Sequence, residues 1–343
     1  MLLLPGSTRT NRFFRVRPGR HRGLSKIRRL GFRLYVFVHV ASSQMHRPTP
    51  PLPMRDGVSA SRVGLPHGHW KTLGEFLAMR FPNVPSYRWN ERAARGEVVD
   101  ERGDRLYPES PYRGGASVYY YRERAVESRI PFDEKILFLS DELLVVDKPH
   151  FLPVTPGGRF LRETLLVRLK KSTGIETLTP IHRLDRETAG VMMLSVNPET
   201  RSLWQSLFRQ RSVEKLYEAM AAAPADMAES FPVERQSRIV RDEQFFRMRE
   251  VDGEPNAHTR IEHVANQGDV ARFRLYPLTG KMHQLRVHMN ALGLPLLNDG
   301  FYPVARPAGA DEFSRPLKLL AKSLSFVDPL SGEKRYFESK QSL

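Results

Sequence analysis

Three apolar runs and one alternating segment predict four strands in the C-terminal two thirds of the chain. Two short apolar runs, 136–139 and 143–146, flank the turn residues 140–142, a pattern typical of a β-hairpin. The run 191–196 is apolar on both faces, which predicts a strand inside a sheet. Residues 270–278 alternate with a period of two, as in a half-buried strand.

Helical patterns lie between these strands without a regular alternation of strand and helix. Residues 163–171 have leucines at helical spacing, and Asn197 followed by Pro198 predicts the start of a second helix. The buried stripe of this second helix is predicted to be Leu203, Trp204, Leu207 and Phe208. A third helix should end at Gly293, and further strands are predicted at 213–220, 317–326 and 334–337. This irregular order predicts an α+β fold, and residues 224–256 carry no recognisable chemistry.

Residues 66–125 are predicted to form a small α/β module in front of a larger body at 130–340. Its elements are two helices followed by two strands: 72–80, 87–95, 98–99 and 117–121. The second helix carries Arg88, Arg92 and Arg95 at positions i, i+4 and i+7, which share one face. That face is predicted either to bind RNA or to lie in solvent as an ordinary charged surface.

Positive charge is concentrated at the start of the chain. The 343 residues carry a formal charge of +16, which points to a polyanionic partner such as nucleic acid. Residues 1–60 contain twelve Lys or Arg and one acid, so the other residues account for only +5. We expect residues 1–60 to be a basic, disordered extension. The alternatives are an RNA-binding arm, an organelle-targeting peptide, or a true translation start at Met54.

Several functional classes lack support in the sequence. The apolar run 34–38 is far too short to cross a bilayer, which takes about 20 residues, so no membrane association is expected. The chain has no cysteine, which excludes disulfides and thiolate metal sites and fits a reducing cytoplasm. The motifs GxGxxG, Walker A, HExxH and GxSxG are absent, so the usual nucleotide-binding, zinc-protease and serine-hydrolase classes are not indicated.

The segment 181–190 contains the strongest candidate for catalysis. Asp185 lies between Arg183 and Arg186 in a predicted turn that ends at Gly190 and leads into a buried strand. Such a carboxylate is either half of a surface ion pair or a nucleophile of the kind that attacks an anomeric carbon. Retaining glycosidases use two acids, whereas only one is evident here. A reaction that returns the leaving group to the same sugar requires only one nucleophile.

A metal site is a weaker alternative for the same segment. His182, His283 and His288 could join Asp185 as nitrogen and oxygen ligands. Their spacing matches no recognised metal motif, and single histidines are more often structural. We therefore expect no metal and no organic cofactor.

Three motifs occur in an order that points to one family. They are HRLDRETAG at 182–190, Lys215 with Tyr217 and Ala219 in one strand, and GKMHQLRVH at 280–288. With the pair Lys148-Pro149, the Gly-x-Pro segment at 293–295 and the turn at 299–302, they make residues 135–337 resemble the RluA family of RNA pseudouridine synthases. The chain departs from the family pattern at Ala189, Lys281 and Met282, which puts only local polar contacts in doubt.

The resemblance implies a role for each matching residue. Asp185 would be the nucleophile that attacks the ribose or the uracil ring, and Tyr217 would stack on the target base and take part in its deprotonation. Arg286 would pair with Asp185, a role that suits a bidentate guanidinium better than a lysine. Arg183 would help to flip the nucleotide out of the RNA stack. The other RNA- or base-binding residues implied by the motifs are His182, Lys215, His283 and Gln284.

The resemblance also implies the wider properties of the protein. It predicts a mixed, mostly antiparallel sheet with flanking helices, and a front module that resembles the alpha-L RNA-binding domain. The expected partner is ribosomal RNA, transfer RNA or both, and the expected protein is a cytoplasmic monomer. The alternative function is a non-catalytic RNA-binding or folding factor, which would use the arginine face of the module and the basic residues around 209–215.

Overall fold

The computed structural model describes residues 51–123, 127–222, 230–244, 246–306 and 311–343. These ranges contain five helices, named α1 (Leu73–Arg80), α2 (Ser86–Ala94), α3 (Leu165–Thr173), α4 (Arg201–Arg209) and α5 (Gln284–Ala291). The first seven strands are β1 (Ser61–Gly64), β2 (Val98–Val99), β3 (Ser117–Tyr120), β4 (Lys135–Leu139), β5 (Leu143–Lys148), β6 (Thr179–Pro180) and β7 (Ala189–Ser195). The next seven are β8 (Glu214–Ala222), β9 (Val233–Arg241), β10 (Met248–Val251), β11 (Ala257–Gln267), β12 (Val270–Pro277), β13 (Leu319–Val327) and β14 (Lys334–Glu338). None of the helices in these ranges is long and apolar enough to cross a membrane.

Eleven of the strands form one sheet, which carries the main core. The order across it is β10-β9-β11-β12-β8-β13-β7-β5-β4, with β14 paired to β13 and β6 paired to β7. Strands β7 and β13 are parallel, and every other pairing among the described strands is antiparallel. The predicted α+β class with a mixed, mostly antiparallel sheet is therefore confirmed.

Strand β7 lies inside the sheet, as its apolar sequence predicts. All seven of its residues are buried, and the strand lies between β5 and β13. The predicted hairpin of β4 and β5 is also confirmed. Because β7 follows directly on the segment that contains Asp185, its burial fixes the candidate nucleophile beside the middle of the sheet.

The predicted start of α4 is wrong. The helix begins at Arg201, three residues later than the Pro198 position predicts. Asn197 instead closes a local turn, in which its Oδ1 accepts a hydrogen bond from the backbone N–H of Glu199 at 3.0 Å. Side chains of this type stabilise such turns as readily as they cap helices. The buried stripe is also narrower than predicted, since Trp204 is 1% exposed but Leu203 is 42% exposed.

Strands β9, β10 and β11 have no counterpart among the predicted elements. One face of β9 is turned towards α5, and this face carries the polar residues Arg235 and Ser237. Apolar and polar positions therefore do not alternate along β9. The three strands belong to the sheet through backbone pairing with each other and with β12. For β9, pairing to established neighbours, rather than a pattern of its own, explains its formation.

Helix α5 lies across the part of the sheet that is formed by β8, β11 and β12. Its residues Leu285 and Met289 pack in one cluster with Phe273 and Leu275 of β12 and Ile261 of β11. Burial of these side chains is the main force that fixes the helix on the sheet. The packing brings the first turn of α5 close to the Asp185 segment.

The front module has a sheet of its own, in the order β1-β3-β2, and a core of its own. It nevertheless belongs to the same compact unit as the body, which extends from Pro48 to Leu343. Strand β1 lies before the predicted module boundary at residue 66. The predicted disordered extension is wrong for residues 51–60, because Leu52 packs on the module and Val58 packs on the body. Residues 1–50 of that extension lie outside the described ranges.

The prediction of one exposed arginine face on α2 is also wrong. Arg92 is only 6% exposed, and its guanidinium lies 4.9 Å from the ring centre of Trp89. Burial lowers the pKa of Arg92, as expected for a cation removed from water. Arg88 and Arg95 are exposed, but each forms an ion pair with a glutamate of the module. Two exposed arginines, each paired with a glutamate, therefore remain where the sequence predicts three exposed arginines.

Candidate active site

The turn that joins β6 to β7 presents Asp185 to a pocket. The backbone N–H of Thr188 donates to the carbonyl oxygen of Asp185 at 3.2 Å, which closes the turn. Gly190 follows with a φ of 116°, and a Cβ at this position would lie 2.2 Å from the carbonyl oxygen of Ala321. The Asp185 side chain is 22% exposed, so a substrate in the pocket can reach it.

Lys148 and His150 hold the Asp185 turn from the protein interior. Lys148 Nζ donates to the carbonyl of Arg186 at 3.1 Å and to two carbonyls of its own loop at 2.8 and 2.9 Å. These contacts use all three donors of the ammonium, although burial lowers the pKa of Lys148 to about 7. His150 Nδ1 donates to the carbonyl of Glu187 at 2.6 Å, and burial lowers the pKa of its ring to about 4. The Lys148-Pro149 motif thus has a clear structural role, which sequence reasoning did not identify.

Arg286 is the cation that faces Asp185. Its Nη1 lies 3.4 Å from Asp185 Oδ2 and 3.8 Å from Glu187 Oε2. The side chain is buried, and burial alone would lower its pKa, but the ion pair with Asp299 and the other nearby carboxylates raise the pKa instead. The predicted pairing of Arg286 with Asp185 is present.

The geometry of that pairing differs from the expectation. Arg286 directs its two-point contact at Asp299, with Nε–Oδ2 at 2.8 Å and Nη2–Oδ1 at 2.6 Å. Only Nη1 is left for Asp185, so the bidentate pair implied for Asp185 is wrong. Sequence reasoning noted the turn at Asp299 as part of a family pattern but missed its contact with Arg286.

Tyr217 lies on β8 next to Asp185 in the pocket lining. Its neighbours across the sheet are Leu275 on β12 and Ala321 on β13, which place the ring at the centre of the sheet. Burial, and to a smaller extent the charge of Asp185, raises the pKa of the phenol above its ordinary value. The side chain is therefore a neutral ring at neutral pH, which suits stacking on a base.

The pocket has a volume of 560 Å³ and a strongly cationic lining. Asp185 is the one carboxylate among the described lining residues, whereas six lining residues are cations: Arg183, Arg209, Arg211, Lys215, Lys281 and Arg286. Four of these are exposed and form what we call the cationic rim: Arg183, Arg209, Arg211 and Lys281. A surface with this excess of positive charge attracts a polyanion. The structure thus brings Arg183 and Lys215 to the pocket, as the sequence motifs imply.

His182 and His283 line the pocket as neutral rings. His182 Nε2 accepts a hydrogen bond from the backbone N–H of Met193 at 3.1 Å, its ring stacks on Phe208, and burial lowers its pKa to about 3. His283 has a left-handed backbone with a φ of 55°, and burial lowers its pKa too. Its Nδ1 lies 3.0 Å from the hydroxyl of Tyr302, and its Nε2 lies 3.9 Å from Asp185 Oδ2.

Gln284 also lines the pocket, but protein groups occupy its amide. Its Oε1 accepts from the hydroxyl of Thr279 at 2.7 Å and from the backbone N–H of Lys281 at 3.0 Å. Its Nε2 donates to the carbonyl of His258 at 3.0 Å and to the hydroxyl of Thr259 at 2.9 Å. Both donors and both acceptor positions are used, so we correct its assignment from base binding to support of the turn at 279–281.

The fourth residue of the metal alternative, His288, is directed elsewhere. Its ring nitrogens contact the hydroxyls of Thr259 at 2.9 Å and Ser237 at 3.1 Å, between α5 and the sheet. Across the described ranges, no three His, Asp or Glu side chains are grouped so that they could hold a metal ion. The alternative in which His182, His283, His288 and Asp185 join in one ligand set is therefore not seen.

Comparison with known proteins identifies a family model and individual proteins that are similar to this chain. A family model for RNA pseudouridylate synthase matches residues 142–291, the part that contains Asp185, Tyr217 and Arg286. Among curated proteins, the chain is similar to an uncharacterized RNA pseudouridine synthase of Synechocystis, with 29% identity over 66% of this chain and 78% of the relative.

Two further relatives carry more specific names. The dual-specificity RNA pseudouridine synthase RluA of Vibrio parahaemolyticus is 32% identical over 57% of this chain and 78% of that protein. The ribosomal large subunit pseudouridine synthase D of Xanthomonas campestris is 30% identical over 75% of this chain and 81% of that protein. A solved structure of human RNA pseudouridylate synthase domain containing 1 matches with 25% identity and a TM-score of 0.49, over 63% of this chain and 86% of that one.

Proposed function

The chain belongs to the RluA-type family of RNA pseudouridine synthases, and we propose that Asp185 is the nucleophile with which it isomerises uridine. The proposal rests on one observation. Asp185 is the one carboxylate among the described lining residues, which include six cations, and it lies 3.4 Å from the buried guanidinium of Arg286 and next to the ring of Tyr217. A carboxylate held in this way is suited to attack at a sugar carbon.

The reaction can be written with the side chains that line the pocket. A carboxylate oxygen of Asp185 bonds to C1′ of the ribose, and the bond from C1′ to N1 of uracil breaks with its electrons on N1. The uracil turns over on the face of Tyr217, and its C5 then bonds to C1′ and releases the carboxylate. The proton lost from C5 is balanced by the proton gained at N1, so the product is an isomer and no co-reactant is consumed.

Arg286 serves this sequence by fixing the nucleophile. Its guanidinium is buried and held by Asp299, so Nη1 is aimed at Asp185 before the substrate arrives. Preorganised charge of this kind costs little reorganisation during the reaction. Arg183 is exposed on the cationic rim, a place from which it can fill the gap left by a flipped nucleotide.

The proposed substrate is a uridine in ribosomal RNA, transfer RNA or both. The name of the Xanthomonas relative supports ribosomal RNA, and the cationic rim suits either RNA. We also propose that the protein acts as a monomer in the cytoplasm. Size-exclusion chromatography with light scattering and cell fractionation test these two points.

Replacement of Asp185 by Asn tests the role of the nucleophile. Pseudouridine formation should fall to background, while RNA affinity should stay within a few fold of the wild type. Asp141→Asn is the matched control, since Asp141 is an exposed carboxylate in the β4–β5 turn. Pseudouridine mapping of total RNA from cells that carry each variant would also name the target. Near-normal product with Asp185→Asn would favour the non-catalytic RNA-binding alternative.

A further inference from the structure

Arg211 has a backbone conformation that arginine rarely adopts. It follows helix α4 with a φ of 58°, at the position after the helix cap where glycine is preferred. Its N–H donates to the carbonyl of Phe208 at 3.2 Å, and the N–H of Ser212 donates to the carbonyl of Leu207 at 2.8 Å. A left-handed conformation costs an L-residue about 1 kcal/mol or more. The backbone therefore favours glycine here, and the reason for an arginine must lie in its side chain.

That side chain belongs to the cationic rim, and its charge acts on Lys215. Lys215 Nζ donates to the carbonyl of Thr279 at 3.2 Å, on the pocket side of β8. Burial, and then the positive charge of Arg211, lowers the pKa of Lys215 to about 8. No carboxylate of the described ranges forms an ion pair with either residue. Both cations line the same pocket without a carboxylate partner in the described ranges, so both are available to an anion.

We propose that Arg211 and Lys215 together bind one phosphodiester group of the RNA strand at the edge of the pocket. The inference rests on the proposed function, because it assigns part of the same pocket to the RNA backbone. Phosphate oxygens are the anions that RNA offers at every nucleotide, and Arg and Lys are their usual partners. The contact would fix the strand beside the nucleotide that lies over Tyr217.

A purely structural role for Arg211 is the alternative, and the helix itself argues against it. A cation near the end of a helix stabilises the partial negative charge of its last carbonyls. Arg209 already occupies the last turn of α4 and supplies that charge. Arg211 lies beyond the helix, in a conformation that costs stability rather than adding it.

Binding of a phosphate at this site should be coupled to proton uptake. The groups that face Lys215 are Arg211 after α4, the neutral ring of His182, the carbonyl of Thr279, and the apolar Leu324 on the neighbouring strand. None of these offers a negative charge that keeps Lys215 protonated. A bound phosphate does, so it raises the pKa of Lys215 above its value of about 8 in the free protein. Affinity should therefore fall as the pH rises above about 8.

The test measures binding of a fluorescein-labelled 12-nucleotide oligouridylate to the full chain by fluorescence anisotropy. Arg211→Gly removes the side chain and gives the backbone the residue that its conformation prefers. We expect about tenfold weaker binding and a salt dependence reduced by about 0.7 in slope, as for one lost contact to a single-stranded phosphate. The melting temperature should be unchanged or higher. Arg274→Gln is the matched control, since Arg274 is exposed on the opposite face of β12.

Two further variants test the pairing of the residues. Lys215→Gln should weaken binding as Arg211→Gly does, and the double variant should lose less than the two losses combined, because both act on one phosphate. Lys215→Arg should restore binding and remove its decline between pH 7 and pH 9.5, since arginine does not titrate there.

Several results would overturn the proposal. Wild-type affinity and salt dependence of Arg211→Gly would do so, as would an affinity loss accompanied by a lower melting temperature, which would assign Arg211 to folding. Fully additive losses in the double variant would also contradict a shared phosphate. Failure of the proposed function would look different, because Asp185→Asn would then form pseudouridine whatever the oligouridylate measurements show.

Discussion

Arg286 and Asp299 form a buried two-point ion pair, with Nε–Oδ2 at 2.8 Å and Nη2–Oδ1 at 2.6 Å. Asp299 also accepts hydrogen bonds from the backbone N–H groups of Phe301 and Tyr302 at 2.7 and 3.1 Å. Both partners are thus fixed, one on α5 and the other in the turn at 299–302. The consequence is that the third nitrogen of the guanidinium, Nη1, points at Asp185 without freedom to rotate away.

Replacement of Asp299 by Asn should therefore damage catalysis as well as stability. Breaking one side of a buried ion pair leaves an uncompensated charge and costs about 3 kcal/mol. Since the freed guanidinium can then turn towards Asp185 or Glu187 in other geometries, kcat should fall more than RNA affinity. The measurements are urea unfolding and single-turnover pseudouridine formation with saturating enzyme.

Asp328→Asn is the control for that experiment. Asp328 is also a buried carboxylate that accepts backbone N–H bonds and pairs with an arginine, but it lies in the β13–β14 turn. It should lower stability and leave the single-turnover rate intact. If Asp299→Asn and Asp328→Asn had equal effects on that rate, the aiming role of Asp299 would be wrong.

The two-point contact between Arg286 and Asp299 could not be predicted from the sequence. Arg286, Asp185 and Tyr217 could each be found because they stand in motifs that follow one another along the chain. Which of two carboxylates receives the two-point contact is a tertiary matter, decided by how α5 packs against the turn at 299–302. The turn at 299–302 resembles the family pattern and so marks Asp299 as a candidate functional residue, but the sequence alone does not identify Arg286 as its partner.

The fold, too, could be predicted from the sequence only in part. Strand β7 is predicted from its continuous apolar run and β12 from its period of two, because burial acts on the sequence pattern directly. Strand β9 exposes one face to solvent and carries Arg235 and Ser237 beside Ile239 on the other, so its backbone pairing with β10 and β11, rather than its own sequence pattern, explains its formation. Arg92 is the reverse case, because helical spacing correctly places it on α2 but cannot tell that the ring of Trp89 covers it.

Lys148→Met should remove the hydrogen bond that holds the Asp185 turn to the protein interior. The substitution keeps most of the apolar volume but leaves three carbonyls without a donor, two of them buried and the third, that of Arg186, partly buried. Each unsatisfied buried group costs about 1–3 kcal/mol, so the protein should be several kcal/mol less stable. The rate of pseudouridine formation should fall in the fraction that remains folded at low temperature.

Lys170→Met provides the comparison for Lys148→Met. Lys170 is a lysine on α3 that does not line the pocket. Unfolding curves and initial rates at 10 °C should separate the two variants clearly. Equal stability of Lys148→Met and Lys170→Met would contradict the role given to the Lys148 contacts.

His288 should make the protein sensitive to mild acid. Its side chain is 0% exposed, and burial lowers its pKa to about 4, well below the value near 6.5 of an unfolded chain. Between these two values the unfolded state binds a proton that the folded state does not. The free energy of unfolding should therefore fall as the pH falls from about 6.5 towards 4, by at most about 1.4 kcal/mol per pH unit for this group.

Urea unfolding of wild type and His288→Asn at pH 4.5, 5.5 and 7.5 measures this dependence. The variant should be less stable at pH 7.5, because Thr259 and Ser237 lose a partner, but its stability should change less with pH. His69→Gln, which alters an exposed histidine, should keep the wild-type slope. An unchanged slope in His288→Asn would show that other groups control the response to acid.

Gly190→Ala should prevent the correct pairing of β7 with β13. These strands are the parallel pair at the middle of the sheet, and their register places Gly190 opposite Ala321. The added Cβ would lie 2.2 Å from the carbonyl oxygen of Ala321, and the φ of 116° is disfavoured for any residue with a Cβ. Because backbone rather than a flexible side chain blocks the methyl group, we expect a loss of more than about 4 kcal/mol and mostly insoluble protein. Gly64→Ala on β1, where no heavy atom lies within 4 Å of the new Cβ, should stay within about 0.5 kcal/mol of the wild type. Soluble Gly190→Ala with a near-normal melting temperature would show that β13 can move aside, and that Asp185 does not depend on a rigid entry into β7.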